Sequence, residues 1–497
     1  MKRSFTDQEL VRREKVELLK EKGVKPFGQS FKRLNHSQEI IEKYAAYSKE
    51  ELEALNAAVV IAGRIMTKRE MGKAGFMHIQ DRNGQIQVYL RQDTLPTLDF
   101  TLFSMADIGD IVGIGGKVFR TNHGELSVKA ESYTHLTKAL KPLPEKFHGL
   151  TDIEERYRRR YLDLIMNESS KEKAIIRAKI VRAIQNYLDS QGLIEVETPV
   201  LQPILGGAAA RPFVTHHNAL DRDFYLRIAT ELPLKRLIVG GLEGVYEIGR
   251  LFRNEGMDYK HNPEFTTVEA YVAYSDIYGM MELTEGIISA AKSVVTSEDV
   301  ITWEDKPINL KTPFARKSMV AMIKEACGID FSAKLDYQQA LALAKKHNIK
   351  VEKHHTGVGH IIALFFEEFV EKTIVDPVFV YGYPVEISPL AKRSEEDERF
   401  TDRFELFIDG SEYCNAFSEL NDPIDQFARF EAQIKEKQLG NEEANEMDLD
   451  FVEALEYGLP PTGGLGLGID RLVMLLTNTT TIRDVILFPH MRQKPNE

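Results

Sequence analysis

The sequence of 497 residues has only two cysteines, Cys327 and Cys414, and neither belongs to a CxxC pair. This scarcity predicts a reducing, cytoplasmic compartment and excludes a CxxC redox or metal motif. No apolar run approaches the ~20 residues of a membrane span, and the charged start MKRSFTDQELVRREK lacks the apolar core of a signal peptide. No internal repeat or low-complexity tract occurs, so the composition is that of an ordinary globular protein.

Familiar nucleotide and metal signatures are also missing. No GxxxxGKS/T phosphate loop occurs, and GLGLGIDR does not match the dinucleotide fingerprint GxGxxG. A bound nucleotide would therefore need a different cradle. His354, His355 and His360 match no familiar zinc spacing, so we interpret them as core or solvent histidines. The net charge of −12, from 64 basic and 76 acidic residues, does not exclude nucleic acid, because local patches decide such binding.

The chain is long enough for two or three domains. Residues 1–57 form the first, a basic helical arm, since residues 1–33 hold ten Lys or Arg against five Asp or Glu. Apolar residues between Leu10 and Leu19 recur at helical spacing, which predicts a helix from about Thr6 to Glu21. Two interpretations stay open: a helix docked on its own protein, or a positively charged arm that attracts a polyanion.

Residues 58–142 are predicted to form a small β-barrel. Five alternating strand patterns in about 80 residues fit a barrel of the oligonucleotide-binding (OB) type. Such barrels stack bases on aromatic rings and follow the phosphate backbone with basic side chains. The candidates are Arg64, Lys68, Arg69, Lys73, Phe76 and Gln87. A barrel without a nucleic-acid role is the alternative. The stiff sequence KPLP at residues 141–144 marks the boundary to residues 150–497, which include a helical insertion at about 278–375.

The stretch VYEIGRLFRNEGMDYKHNPEFTTVEAY, residues 245–271, predicts two antiparallel strands around a polar loop. On the first strand, the period of two places Arg253 and Glu255 on one face. On the second, it places Phe265, Thr267, Glu269 and Tyr271 together. A cation, carboxylates and aromatic rings on one surface make a poor core and suit an anionic, partly aromatic ligand.

Two later segments also carry side chains suited to chemistry. In RFELFIDGSEYCNAFSEL, Glu405 and Glu412 are candidate oxygen ligands for a Mg²⁺ ion held jointly with phosphates. In the same segment Asn415, Phe417 and Glu419 share one strand face, and Cys414, Ala416 and Ser418 occupy the other. The segment PPTGGLGLGIDRLVMLLT predicts a glycine-rich strand end that opens an apolar helix with Arg471 near its start.

These segments resemble the bacterial-type lysyl-tRNA synthetases of class II, subgroup b. GLIEVETPVL resembles class II motif 1, FRNEG with HNPEFTTVEAY resembles motif 2, and GLGLGIDR resembles motif 3. GGAAARPF, THHNALD and SPLAK resemble lysyl-specific segments, and no HIGH or KMSKS tetrapeptide of class I occurs. The resemblance spans nearly everything from Ala58 to Met491. It implies an α+β fold, with an antiparallel-sheet catalytic domain and an N-terminal OB-fold anticodon-binding barrel.

The resemblance also implies the reaction and its partners. Lysine and ATP would form lysyl-adenylate and pyrophosphate, and lysine would then pass to the 3′-terminal ribose of tRNA(Lys). About two or three Mg²⁺ ions would accompany ATP. The working form would be a cytoplasmic homodimer with motif 1 at its interface.

Residue roles follow from positions that match the family motifs. Arg253 and Arg471 would be catalytic and would hold the α-phosphate and the γ-phosphate. The ATP site would consist of Arg253, Glu255, His261, Asn262, Phe265 (against adenine), Glu412 and Arg471. The lysine site would consist of Gly207, Glu231, Arg253, Glu269, Tyr271, Asn415, Phe417 and Glu419. Glu405 and Glu412 would bind Mg²⁺, and the anticodon would meet Arg64, Phe76, Gln87 and Glu125.

Three other functions compete with this one. An aspartyl or asparaginyl enzyme would need cations where the chain has Glu269 and Glu419. A relative that attaches lysine to a protein would lack the barrel, and an inactive tRNA-binding protein would be expected to lose a motif arginine or a Mg²⁺ carboxylate. One departure from the family pattern is Cys414, where glycine is expected. Its side chain is predicted to point away from Asn415 and Phe417.

Overall fold

The computed structural model describes residues 4–28, 30–144, 150–441 and 443–493, which belong to two compact units, Met1–Thr151 and Asp152–Glu497. Within those ranges no helix is long and apolar enough to cross a membrane. Lys2 and Arg3 of the predicted basic arm lie outside the described residues.

The first unit is built on a closed five-stranded barrel. Its strands are β1 (Ala58–Met71), β2 (Ala74–Gln80), β3 (Gln85–Arg91), β4 (Ile111–Arg120) and β5 (Leu126–Thr137), joined in the order β1-β2-β3-β5-β4. Helices α1 (Asp7–Glu21), α2 (Ser37–Tyr44) and α3 (Lys49–Leu55) precede it, and α4 (Thr97–Met105) follows β3. Side chains along each strand alternate between the barrel interior and the outer surface. In β2, Met77 and Ile79 are buried in the core, while Phe76 and His78 lie on the other face.

The N-terminal helix α1 is docked on the barrel. Thr6 caps its start in a reciprocal capping box. Leu19 is buried in the barrel core, and the guanidinium group of Arg12 donates hydrogen bonds to the carbonyl oxygens of Ala139 and Ile108. Helix α1 is therefore docked on its own protein, as the first interpretation predicted. Attraction of a polyanion by this arm stays a prediction.

The second unit surrounds an eight-stranded sheet of order β14-β15-β16-β17-β18-β11-β10-β6, in which only the β14/β15 and β10/β6 pairs are parallel. Its strands are β6 (Ile194–Glu195), β7 (Leu201–Gln202), β8 (Val214–His217), β9 (Arg222–Leu226), β10 (Gly244–Phe252), β11 (Glu264–Ala273), β12 (Val300–Trp303), β13 (Lys306–Asn309), β14 (Ala315–Ser318), β15 (Val378–Pro384), β16 (Phe400–Ile408), β17 (Ser411–Ser418) and β18 (Thr462–Gly468). Strands β7, β9 and β8 form a separate small sheet, and β12 pairs with β13.

The helices of this unit cover the sheet and its edges. They are α5 (Ile153–Arg158), α6 (Arg160–Met166), α7 (Glu168–Ser190), α8 (Glu231–Val239), α9 (Ile277–Ser293), α10 (Met319–Cys327), α11 (Tyr337–Lys346), α12 (Val358–Phe369), α13 (Pro423–Gln438), α14 (Leu449–Glu456), α15 (Ile469–Leu476) and α16 (Ile482–Val485). Short 3₁₀ turns span Glu371–Thr373 and Val385–Ile387.

Helices α7, α9 and α15 bury one face of the sheet in a single apolar core. In α9, Met281 and Ile288 recur at helical spacing and are almost fully buried against the strands. Helices α10, α11 and α12 form a second core with β15. The predicted insertion at 278–375 therefore begins with a helix of the main core, and it contains β12, β13 and β14 as well as helices.

Candidate active site

A cavity of about 680 Å³ lies on the sheet face opposite helices α7 and α9. Glu269 and Tyr271 of β11 face it, while Val268 and Ala270 point into the helical core, as strand alternation requires. Of the residues predicted for the ATP, lysine and metal sites, all but Glu419 line this cavity. They are Gly207, Glu231, Arg253, Glu255, His261, Asn262, Phe265, Glu269, Tyr271, Glu405, Glu412, Asn415, Phe417 and Arg471.

The predicted hairpin forms, but its first strand is shorter than predicted. Strand β10 pairs antiparallel with β11 and ends at Phe252. The prediction that Arg253 and Glu255 share a strand face is wrong, because both residues lie in the loop. The ladder stops where the main-chain N–H of Asn254 turns away and donates to the carbonyl oxygen of Arg211 at 2.8 Å.

Arg253 has a guanidinium donor ready for a ligand. Its Cζ lies 5.2 Å from the centre of the Phe265 ring. Its Nε is buried and has no hydrogen-bond partner among the described residues. A buried donor without a partner is unfavourable, and an anion that accepts from it would remove that penalty. This corner of the cavity therefore suits a phosphate or a carboxylate.

The loop between β10 and β11 is braced by its own side chains. Asp258 accepts hydrogen bonds from two main-chain N–H groups that follow it and pairs with the imidazole of His261. Asn262 donates to the carbonyl oxygen of Glu264 at 2.6 Å and accepts from the N–H of His490 at 3.2 Å. The amide of Asn262 is thus engaged with the main chain at both ends, which fixes the loop beside the cavity.

One end of the cavity is acidic and buried. The carboxylate of Glu269 accepts hydrogen bonds from the N–H of Thr230 at 3.1 Å and from the phenol of Tyr271 at 3.2 Å. Burial raises the pKa of Glu269 to about 7, and the neighbouring carboxylate of Glu231 adds to the rise. A cation bound here would favour the ionised form of Glu269 and offset the repulsion.

Glu419 lies directly behind this acidic end. It is 1% exposed, and its Oε2 forms an ion pair with Lys235. Its Oε1 has no hydrogen-bond partner among the residues that the structure describes. Gly464 leaves room in front of that oxygen: a methyl group at this position would overlap Glu419 Oε1 and lie 2.6 Å from the Tyr271 ring. A cation that passes Gly464 would reach an unpaired buried acceptor.

Arg403, which has no role in the sequence prediction, organises the adjacent wall. Its guanidinium group donates to Asn415 Oδ1 at 3.1 Å and to Glu405 Oε1 at 2.6 Å, and it lies 4.6 Å from the Tyr383 ring. Because Oδ1 is engaged, the group that Asn415 could offer to a ligand is its Nδ2 donor. Its spacing in the sequence could have indicated this role, because Arg403 is two residues from Glu405 and shares its strand face.

A β-bulge brings Glu412 and Asn415 to the same side of the sheet. Strict alternation would place two residues three positions apart on opposite faces. The β16/β17 register shifts by one, which leaves Tyr413 as an extra residue of β17. Cys414 points the other way into the apolar core and is 1% exposed, as predicted. The bulge itself has no recognisable sequence signal.

Glu405 and Glu412 form the predicted carboxylate pair. Burial raises the pKa of Glu405 to about 7, and the charge of Glu412 contributes to the rise. Two carboxylates that repel each other favour a cation between them. Within the described ranges no group of three or more His, Cys, Asp or Glu side chains is placed to hold a metal ion. A metal at this pair would need further oxygen ligands from a bound phosphate or water.

Arg471 is positioned by the start of α15. Its guanidinium group donates to the main-chain carbonyl of Glu412. The preceding residue, Asp470, accepts from the N–H of Thr266 at 2.7 Å and pairs with Arg177 of α7 at 2.5 Å. This brace links α7, β11 and α15, so the segments that resemble motif 2, on β11, and motif 3, on α15, are held together and tied to α7.

Several further cavity residues have no predicted binding role. Lys260 donates to Ser411 Oγ at 3.1 Å, and Asn445 Oδ1 accepts from the N–H of Gly207 at 3.1 Å. The histidines interpreted as core or solvent residues also line this cavity, and His360 is buried beside Glu436 at 3.5 Å. Lys260 lies in the loop of the motif 2 segment, whereas Asn445 and the histidines come from helices and loops distant in sequence from the motifs, so spacing could not reveal them.

On the barrel, three of the four predicted anticodon residues share a surface. Gln87 donates to Glu125 Oε2 at 2.7 Å. Phe76 lies on the neighbouring strand with its ring centre 4.8 Å from that of Tyr89. Arg64 instead donates to the carbonyl oxygen of Gly109 at 2.8 Å. In the strand register it lies opposite Gln80 of β2, four residues from Phe76 or about 13 Å along the strand.

The barrel and the antiparallel-rich sheet with its acidic cavity define a class of protein, and comparison with known families gives the same one. The chain belongs to the family "tRNA synthetases class II (D, K and N)", whose model matches residues 152–492, and residues 59–136 match the "OB-fold nucleic acid binding domain". It is 60% identical to the lysine–tRNA ligases of Streptococcus mutans and Streptococcus suis over 98% of each chain, and 59% identical to that of Lactococcus lactis over 98% of this chain and 99% of that one. The predicted family and the predicted α+β fold with an OB barrel are confirmed.

Proposed function

We propose that the chain is a lysine–tRNA ligase, which activates lysine with ATP and transfers it to tRNA(Lys). The observation that carries this proposal is the acidic end of the cavity, where Glu269 and the Oε1 of Glu419, which has no hydrogen-bond partner among the described residues, would bind a cation. Relatives that share about 60% of this sequence carry the same name. The choice of lysine over aspartate and asparagine rests on these carboxylates.

The acidic end suits both the charged ε-ammonium group and the apolar stem of the lysine side chain. The ε-ammonium would pair with Glu419 and Glu269 beside the phenol of Tyr271, and the apolar stem would lie along the ring of Phe417. At the other end of the substrate, Glu231 would take the α-ammonium. A site built to pair a charge rejects uncharged analogues by roughly 10⁴ or more, because its own carboxylates would be left unpaired.

The other end of the cavity suits ATP. Phe265 offers a face for adenine, and the unpartnered donor of Arg253 would hold the α-phosphate together with the lysine carboxylate. The guanidinium of Arg471 would hold the γ-phosphate. Arginine suits both places because its planar fork stays charged and binds two oxygens at once.

Adenylate formation would need positioning more than proton transfer. The lysine carboxylate is already a nucleophile, so it can attack the α-phosphorus in line with departing pyrophosphate without a general base. Asn415, whose Oδ1 is held by Arg403, would orient the carboxylate with its Nδ2 hydrogens, and Arg253 would neutralise charge as it develops on the α-phosphate. Lysine would then pass to the 3′-terminal ribose of the tRNA.

Glu405 and Glu412 fit Mg²⁺ by their chemistry. Mg²⁺ prefers oxygen ligands and is usually held by one or two carboxylates together with substrate phosphates. The repulsion that raises the pKa of Glu405 is the electrostatic condition that such an ion would relieve. Bound there with ATP, Mg²⁺ would supply neutralisation of the phosphate charge. Arg403 would keep Glu405 in place.

A cytoplasmic homodimer with the motif 1 segment at its interface is part of this proposal. Strand β6 is an edge of the large sheet, and the side chains of Ile194, Val200 and Leu201 of the motif 1 segment are exposed. An apolar sheet edge without cover favours association with a second copy. A single species of 56.6 kDa in sedimentation equilibrium would contradict the dimer.

Amino-acid-dependent exchange of labelled pyrophosphate into ATP tests the proposed activity. With each standard amino acid supplied in turn, lysine is expected to support exchange strongly and the others weakly, because only lysine pairs the buried carboxylates. Exchange with aspartate, asparagine or any other residue in preference to lysine would overturn the proposal.

Phe76→Ala is expected to weaken charging of tRNA(Lys) while leaving pyrophosphate exchange nearly unchanged. Loss of one stacked base costs about 1–3 kcal/mol, so kcat/KM for tRNA should fall by roughly 10–100-fold. Phe5→Ala, which removes an exposed aromatic ring outside the barrel in the same unit, is the control and should leave charging intact. Parallel loss of charging and exchange in Phe76→Ala would contradict an anticodon role for the barrel.

A further inference from the structure

A fully buried lysine, Lys235, lies between two carboxylates of the proposed amino-acid site. Its Nζ is 2.6 Å from Glu231 Oε1 and forms an ion pair with Glu419 Oε2. None of its surface is exposed, and Nζ lies 5.4 Å from the ring centre of Phe417 and 5.7 Å from that of Phe451. A buried cation of this kind requires a reason, because removing a charge from water is costly.

Lys235 connects two elements that would hold opposite ends of the substrate. Glu231 is the first residue of α8, and Lys235 follows it by one turn on the same helix face. Glu419 comes from the end of β17 in the sheet. The bridge therefore sets the separation between the carboxylate proposed for the α-ammonium and one proposed for the ε-ammonium.

The charges of this cluster depend on one another. Burial raises the pKa of Glu419 well above its usual range, and the ammonium of Lys235 opposes that rise. Burial lowers the pKa of Lys235, but Glu231 and Glu419 together raise it above its ordinary value. Glu269 and Tyr271 of β11 also interact with the carboxylates of this cluster. The formal charges of Glu231, Glu269 and Glu419 against one internal ammonium leave two negative charges for the two ammonium groups of free lysine.

We propose that Lys235 is a positioning residue for amino-acid recognition, which fixes one oxygen of Glu231 and one of Glu419 so that their remaining acceptors face the substrate. This inference rests on the proposed lysine site. Lys235 acts through the two carboxylates and does not touch the substrate itself. Because it fixes their separation, it also contributes to the rejection of a diamino acid with a shorter side chain, such as ornithine.

Pyrophosphate exchange by the full-length chain tests this inference with three substitutions. Lys235→Met and Lys235→Gln both remove the internal cation. Gln can still form hydrogen bonds, so Lys235→Gln serves as the test if Lys235→Met does not fold. Either is expected to lower kcat/KM for lysine by about a hundredfold, with KM for ATP changed less than about threefold. The preference for lysine over ornithine should fall in the same variants. Lys235→Arg, which restores the charge, should recover at least about tenfold over Lys235→Gln.

The pH profile separates positioning from a merely structural role. Without Lys235 the pKa of Glu419 is expected to rise further, because the ammonium that opposes the effect of burial is lost, and a protonated carboxyl group cannot pair with an ammonium. The midpoint at which kcat/KM for lysine rises with pH should therefore shift upward by about one unit or more in Lys235→Gln. Arg236→Met, which removes ion pairs to Asp448 and Asp450 on the adjacent surface, should leave the profile and the KM for lysine unchanged.

Two outcomes would overturn the inference. One is a folded Lys235→Gln variant with the wild-type KM for lysine and the wild-type pH midpoint. The other is an equal loss for lysine and ATP in the variants, which would mean that Lys235 supports the fold alone. A wild-type chain without lysine-dependent exchange would instead refute the proposed function, so the two failures are distinguishable.

Discussion

Glu419→Gln is expected to lower kcat/KM for lysine by roughly 10²–10³, while KM for ATP changes less than about threefold. The substitution keeps the size of the side chain but replaces the unpaired Oε1 acceptor and its charge by a neutral amide. The ε-ammonium of lysine would then be buried beside Glu269 alone. Lys235 keeps its second partner, Glu231, so the fold should survive. Pyrophosphate exchange with each substrate varied in turn measures the split.

Glu412→Gln is the matched control because it removes a carboxylate from the opposite end of the cavity. It should raise the concentrations of Mg²⁺ and ATP needed for exchange and change the KM for lysine little. Glu419→Gln is thus expected to impair the use of lysine, and Glu412→Gln the use of ATP and Mg²⁺. Equal effects of Glu419→Gln on lysine and ATP would mean that the ammonium pocket is not at Glu419.

The sequence predicts the large elements well because their signals are local. The alternation of β11 places Glu269 and Tyr271 on the cavity face, and the apolar spacing of α1 predicts its start within a residue. The barrel follows from five short alternating segments. Resemblance to a family adds what spacing cannot supply, namely which polar residues from separate segments meet in one cavity.

The remaining features depend on contacts between distant segments. The first hairpin strand ends early because Asn254 bonds to the main chain of Arg211, a residue from a different loop. The extra residue Tyr413 changes which face Glu412 occupies, and only the pairing with β16 shows it. Arg403 and Lys235 are single basic residues among many in the sequence. Their importance appears only when their carboxylate partners are in place.

Gly464→Ala is expected to abolish efficient use of lysine through a single added methyl group. The new Cβ would overlap Glu419 Oε1 and lie 2.6 Å from the Tyr271 ring, both of which are buried and closely packed. Neither side chain can move without breaking an ion pair or a hydrogen bond. We expect kcat/KM for lysine to fall by about 10² or more, and overpacking to lower the free energy of unfolding by about 1–3 kcal/mol.

Gly466→Ala provides the comparison because it adds the same methyl group two residues along β18. Its Cβ would meet Glu269 Cγ at 3.6 Å, an ordinary contact, so its effect on lysine use should be at least about tenfold smaller. Kinetics with lysine and ATP varied separately, together with urea unfolding, distinguish a blocked pocket from a weakened fold. A Gly464→Ala variant with the wild-type KM for lysine would show that the ammonium does not pass Gly464. Because a methyl group at Gly464 would overlap Glu419 Oε1, such a result would also argue against Glu419 as part of the lysine site.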